Sequence, residues 1–212
     1  MKLIYVMDPM CAWCYAFSLE WEEFLEKYPS LEVEYIMGGL APDNDTPMDE
    51  NMKKTISSYW VDIEKKTKVT FNHNYWKENT PYRSTYPACR AVIAAETLQA
   101  KSSAKMVKAI QSAYYKEAKN PSLKEILVEC ATSIGLDKTK FLQTFESKKI
   151  EEKLQEHLSI TYKLQVRGFP ALFYINDKNE AYPLTLGFTI ASNLENQLLR
   201  ILWKVVSNCK VI

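Results

Sequence analysis

The sequence predicts an α/β protein in which a β-α-β unit at the start and a β-β-α unit at the end form one framework, with a long all-helical segment inserted between them. Three observations predict this. Short apolar runs of strand length, Leu3 to Met7, Leu31 to Met37, Ala171 to Ile175 and Tyr182 to Phe188, sit only near the two ends of the chain. From about Asp49 to Leu164 the apolar residues recur at helical spacing instead. Proline and glycine punctuate the joins, at Asp8-Pro9, Gly38-Gly39 and Gly168-Phe169-Pro170.

Taken in order, Leu3 to Met7 is a buried strand that Asp8-Pro9 breaks, and Phe17, Trp21, Phe24, Leu25 and Tyr28 then mark one face of a helix. Leu31, Val33 and Tyr35 alternate along a second strand, which Gly38-Gly39 ends. Within the helical segment Ala88, Val92 and Ala95 suit one helix face, and Val107, Ile110 and Tyr114 another. Ser122-Leu123-Lys124-Glu125 reads as a capping box, with Leu123, Ile126, Leu127, Cys130 and Ile134 as the buried stripe and Gly135 as the stop. Asp137 caps the next helix. Ala171 to Ile175, the polar turn Asn176 to Asn179 and Tyr182 to Phe188 form a hairpin. Ser192 with Glu195 is expected to cap a final helix whose Leu194, Leu198, Ile201, Leu202 and Val205 share a face. The division this gives is a framework of residues 1–40 and 165–212 around an insert of residues 41–164. With no linker between them, the two should share a core.

Composition narrows the function. Lys and Arg number 27 against 26 Asp and Glu, with no long run of either sign, so nothing points to nucleic acid or to an anionic membrane surface. No stretch reaches the roughly 18 apolar residues that a spanning helix needs. Five cysteines are too few for a disulfide framework, and their odd number leaves one unpaired, which suits a reducing compartment. No apolar leader segment precedes Cys11, and a cytoplasmic location is expected.

The chemistry concentrates in Cys11-Ala12-Trp13-Cys14, two thiols one helical turn apart where the first strand gives way to the first helix. Free backbone N–H groups and the macrodipole at a helix N-terminus favour an anion, so the first thiol should ionise below the usual cysteine value of about 8.5. Cys11 is therefore the candidate nucleophile. Cys14, further into the helix, is placed to resolve a mixed disulfide formed on Cys11.

The β-α-β and β-β-α frame, the Cys-x-x-Cys pair and Pro170 opening the third strand together resemble the thioredoxin fold, and the helical insert resembles its DsbA-like branch. The segments Asp8-Pro9-Met10-Cys11-Ala12-Trp13-Cys14-Tyr15-Ala16-Phe17 and Pro81-Tyr82-Arg83-Ser84-Thr85-Tyr86-Pro87-Ala88-Cys89-Arg90-Ala91 are similar to the non-secreted predicted disulfide isomerases related to the FrnE group. The resemblance implies a thiol–disulfide oxidoreductase or isomerase acting on protein or small-molecule disulfides and dithiols, served by a recycling reductant or oxidant. It implies that Pro170 is a cis-proline facing the cysteines, although only about 5–6% of X–Pro bonds in folded proteins are cis. It also implies that the backbone of Phe169 meets the substrate. Phe169 is bulkier, and Ala12-Trp13 different, than in the strongly oxidising secreted enzymes. No cofactor beyond the cysteine pair is expected, with glutathione a candidate co-substrate. Two rival readings are a glutathione-dependent isomerase or transferase of the 2-hydroxychromene-2-carboxylate isomerase and kappa type, which carry Ser where Cys11 stands, and a redox-switched client-binding chaperone or adaptor.

Other residues weigh less. A half zinc site at Cys11 and Cys14 has no second half, because Cys89, Cys130 and Cys209 are isolated and His73 and His157 lie far apart. Cys130 and Cys89 read as buried filler, with a third redox thiol at Cys89 the minority reading, and Cys209 as an incidental thiol. Trp13, inside the Cys-x-x-Cys turn, is a candidate substrate contact. Tyr15, Tyr75, Trp76, Tyr82 and Tyr86 divide evenly between a peptide groove and the core. Asp8 reads as a loop cap and Arg90 as a solvated helix charge.

Overall fold

The computed structural model describes residues 2–208, with side chains through Lys204. Its elements run β1 (Lys2–Met7), α1 (Ala12–Lys27), β2 (Glu32–Met37), α2 (Glu50–Lys66), α3 (Tyr75–Glu78), α4 (Tyr86–Leu98), α5 (Ser103–Tyr115), α6 (Lys124–Ser133), α7 (Lys138–Phe145), α8 (Lys148–Lys163), β3 (Ala171–Ile175), β4 (Ala181–Leu186) and α9 (Ala191–Asn208). The four strands form one sheet in the order β2-β1-β3-β4. β1 runs parallel to β2 and antiparallel to β3, and β3 and β4 form an antiparallel hairpin. Pro183 lies opposite Phe173 in β4, an edge strand, beside a register shift in the hairpin, which is where a sheet tolerates proline.

The period of two along the strands divides the core between the two faces of the sheet. Leu3, Tyr5 and Met7 of β1 and Leu172 and Tyr174 of β3 point to the side covered by α1 and α9. Val6, Ile36, Ala171 and Phe173 point to the other, where Ile160 and Leu164 at the end of α8 close a smaller cluster. The larger cluster runs without interruption from the sheet into the insert and includes Trp60, Tyr115, Leu127 and Phe141 as well as Leu194 and Leu198. Cys11 and Cys14 belong to this larger cluster.

Two expected caps are corrected. The Ser122 hydroxyl donates to the Ser84 carbonyl at 2.8 Å instead of capping α6, whose N-cap residue is Leu123. The last helix starts at Ala191, so Ser192 is inside its first turn; the Ala191 N–H is satisfied by Glu20 of α1 at 2.9 Å, and Glu195 pairs with Lys27 and Tyr28. In both places a tertiary partner takes the group that the local motif would have used. Asp137 does cap α7, accepting the Lys140 N–H at 2.8 Å. Gly135, at φ +89°, ends α6 in a Schellman turn, with Leu136 N–H donating to Ala131 O and Gly135 N–H to Thr132 O. The side chain of Val205, and Cys209, lie outside the described residues.

Candidate redox site

Cys11 is the N-cap residue of α1, with extended backbone (φ −81°, ψ 118°) and its carbonyl accepting the first helical bond from Tyr15 N–H at 3.0 Å. At this position a side chain faces the free N–H groups of the second and third helical residues, here Trp13 and Cys14, although the sulfur makes no capping hydrogen bond to them. A sulfur stands where Ser or Asp usually would. Cys11 keeps 7% of its surface exposed and Cys14 1%. The two are not bonded.

Their acidities diverge. The hydrogen bond from the Cys14 thiol is the main influence holding Cys11 below the ordinary thiol range; burial opposes it, the Cys14 and Trp13 N–H groups assist, and the charge of Asp8 opposes. Burial, followed by the hydrogen bond to Cys11 and the charge there, pushes Cys14 well up. Tyr5, beneath the pair on β1, is also pushed well up, chiefly by burial and then by the charge on Cys14. The site is thus built for one thiolate and one thiol.

Across from the helix, the Phe169–Pro170 peptide is cis. The Cys11 sulfur lies 3.8 Å from the Phe169 carbonyl oxygen. The Phe169 ring does not obstruct this approach, because it lies over Gly38, where a Cβ would overlap it. Gly38 therefore has a second use besides ending β2. Trp13 is half-buried against Phe188, ring centroids 5.6 Å apart.

Several residues around the pair were not foreseen. Met10, just before Cys11, has both peptide groups held: its N–H donates to Asp8 Oδ1 at 2.8 Å, and its carbonyl accepts the Tyr115 hydroxyl at 2.7 Å. Asp8 is fully buried and reaches much further than a loop cap. Its Oδ2 accepts from Leu40 N–H at 2.7 Å, the Thr85 hydroxyl at 2.6 Å and the Cys89 thiol at 3.5 Å. Cys89 is buried, and burial together with Asp8 pushes it well up, so its thiol stays protonated. Arg90 is likewise more than a solvated charge: it forms two bonds to Asp43, at 2.6 and 2.8 Å, and one to Glu151 at 3.1 Å. Tyr15 and Tyr75 are buried, the former stacked on Tyr115 at 4.5 Å, whereas Trp76, Tyr82 and Tyr86 are half-buried. His73 pairs with Glu64, and His157 Nδ1 accepts the Met37 N–H. Among the described residues no cluster of three or more His, Cys, Asp or Glu could hold a metal ion, and no helix is long and apolar enough to cross a membrane.

A frame of this topology with one thiol at the N-cap position of its first helix and a second a turn inside defines a protein of the DsbA-like thioredoxin superfamily. The chain belongs to the thioredoxin family, whose model matches residues 4–191. Among solved structures it is similar to a protein disulfide isomerase candidate from Nitrosomonas europaea, at 25% identity, TM-score 0.86, and 96% and 98% of the two chains covered. It shares its fold with the cytosolic disulfide reductase DsbM of Pseudomonas aeruginosa, at 23% identity, TM-score 0.78, and 95% and 98% coverage; that protein has also been solved with GSH. A curated relative, the ClpXP adapter protein SpxH of Bacillus subtilis, is 22% identical over 85% of this chain, which spans 60% of that relative's length.

Proposed function

We propose that this protein is a thiol–disulfide oxidoreductase in which Cys11 attacks and Cys14 resolves. One observation carries the reading: Cys11, 7% exposed, stands at the N-cap position of a helix, Cys14, 1% exposed, lies a turn behind it, and the Phe169 carbonyl faces the first sulfur at 3.8 Å. In the reductive direction the Cys11 thiolate attacks one sulfur of a substrate disulfide, the Cys11–substrate bond forms and the other substrate sulfur leaves as a thiolate. Cys14 then passes its proton to a departing substrate thiolate and attacks the Cys11 sulfur, which forms the Cys11–Cys14 disulfide as the bond from Cys11 to the second substrate sulfur breaks. Two electrons pass from the dithiol to the substrate. A recycling thiol of the glutathione class, or a protein dithiol, returns the pair to its reduced form. The carbonyl of Phe169 and the half-buried Trp13 are the proposed substrate contacts, and a reducing, cytoplasmic setting suits the pair.

The test is trapping. Cys14→Ser should accumulate mixed disulfides with disulfide substrates, and Cys11→Ser should not, as read on non-reducing gels and by mass. Equal trapping by both variants would overturn the role assignment. An adapter reading is favoured by one observation, the likeness to SpxH over most of this chain; client binding unchanged in Cys11→Ser would support it. A glutathione-dependent isomerase has no use for Cys14, and the paired thiols favour exchange.

A further inference from the structure

Asp8 is a fully buried carboxylate that the exchange mechanism does not use, yet it lies one turn from the nucleophile, with its carbonyl accepting the Cys11 N–H at 3.0 Å. Its two oxygens meet four donors from three parts of the chain: Met10 N–H, Leu40 N–H, the Thr85 hydroxyl and the Cys89 thiol. The Thr85 hydroxyl accepts the Ala41 N–H at 3.0 Å and has two acceptors in reach of its own proton, Asp8 Oδ2 at 2.6 Å and the Ala41 carbonyl at 3.3 Å, of which Asp8 is much the nearer. The 2.6 Å length suits an O–H donor on a charged oxygen. The Met10 and Leu40 N–H groups, at 2.8 and 2.7 Å, can only donate, and the Thr85 hydroxyl and Cys89 thiol add two more donors to the same two oxygens. Burial pushes the Asp8 carboxyl up from its ordinary value, the Leu40, Thr85, Met10 and Cys89 donors pull it back, and this converging donor set favours the anion. The titratable groups that sense its charge are all acids, namely Cys11, Cys14, Cys89, Tyr86, Tyr114 and Tyr115, and no described Lys, Arg or His pairs with it.

We propose that Asp8 is a positioning residue that sets the redox poise of the Cys11/Cys14 pair, holding it toward reduction of substrates. The proposal rests on the oxidoreductase reading and gives it a direction. A fixed negative charge behind the pair raises the energy of the Cys11 thiolate and so of the reduced form. A dithiol whose thiolate is less stabilised gives up its electrons more readily, the reverse of the strongly oxidising members of this chemistry, whose reduced form is the stabilised one. The helix N-terminus and the Cys14 thiol favour the Cys11 thiolate while Asp8 opposes it, and Thr85 and Cys89, at the start of α4, hold that charge in place from the insert.

The experiment compares wild-type with Asp8→Asn in two measurements. The first is the pH profile of Cys11 alkylation by iodoacetamide; the second is the dithiol–disulfide equilibrium of the pair in buffers of reduced and oxidised glutathione. Removing the charge should move the alkylation profile to lower pH and shift the equilibrium about tenfold toward the dithiol, about 30 mV for this two-electron couple. An unchanged profile and equilibrium with only a lower melting temperature, or a shift of either in the opposite direction, would overturn the proposal. If Asp8→Asn does not fold, Thr85→Val keeps the charge but loosens its hold; a smaller shift of the same sign is then expected, and no shift overturns the proposal. Failure of the oxidoreductase reading looks different: the wild-type pair would form no disulfide at any glutathione ratio, while the alkylation profile would still report on Asp8.

Discussion

Two thiols of one helix meet opposite fields when one stands at its N-cap position and the other is buried a turn inside. In reduced protein near neutral pH, iodoacetamide should label Cys11 at least about tenfold faster than Cys14, because the thiolate is the reacting species and only Cys11 is held below the ordinary range. Peptide mapping after a short pulse checks this, and preferential labelling of Cys14 would reverse the assignment. Such a contrast can be read from sequence, since a strand, a breaker and a helical stripe place the pair without any distant partner. What surrounds the pair cannot. Thr85 is 77 residues from Asp8, and Tyr115 is 105 residues from Met10, so nothing in local spacing announces either contact.

Between elements, small residues and single hydrogen bonds decide how the redox surface is assembled. A Cβ at Gly38 would overlap the Phe169 ring, whose own backbone faces Cys11. Gly38→Ala should destabilise the protein by about 1–3 kcal/mol, the usual range for overpacking, and slow thiol exchange by moving the Phe169 carbonyl. Adding Phe169→Ala should recover part of that stability, since residues in contact are not additive; strictly additive losses in a denaturant cycle would show that the two do not meet. Behind the same sheet, His157 of α8 accepts the Met37 N–H at 3.0 Å, which only the neutral ring can do. Burial holds its pKa below the ordinary histidine value, with Glu34 and Glu156 opposing and Lys153 assisting. The unfolded chain therefore takes up the proton first. Stability from this group is complete above about pH 6.5, the unfolded value, and is lost as pH falls from there through the lower folded value. His157→Gln should flatten the dependence of the melting temperature on pH between about 5 and 7. Strand alternation and the Gly135 stop were legible because each depends on a few adjacent residues. The caps at Ser122 and Ser192 misled because Ser84 and Glu20, brought in by tertiary packing, offered those helix starts other arrangements.

At the scale of the whole molecule, the insert and the framework divide the sequence but not the core. Trp60 of α2 packs edge-on against Tyr115 of α5 at 5.3 Å, Tyr115 stacks on Tyr15 of α1, and the Tyr115 hydroxyl holds the Met10 carbonyl beside Cys11. An insert joined to its host by buried contacts of this kind should not melt separately. Trp60 is 1% exposed, and its removal should cost about 3–5 kcal/mol, the range for a buried aromatic cut to alanine. The prediction concerns where that loss is felt. Far-ultraviolet circular dichroism reports mainly on the helices, most of which belong to the insert, whereas alkylation of the buried Cys14 reports opening of the framework helix α1. In Trp60→Ala both signals should move to the same lower urea midpoint, because destabilising the insert destabilises the surface on which the redox helix is packed. Helix content lost at low urea while Cys14 stays protected would mean that the insert unfolds alone, and that Tyr115 and Asp8 touch the redox loop without governing it.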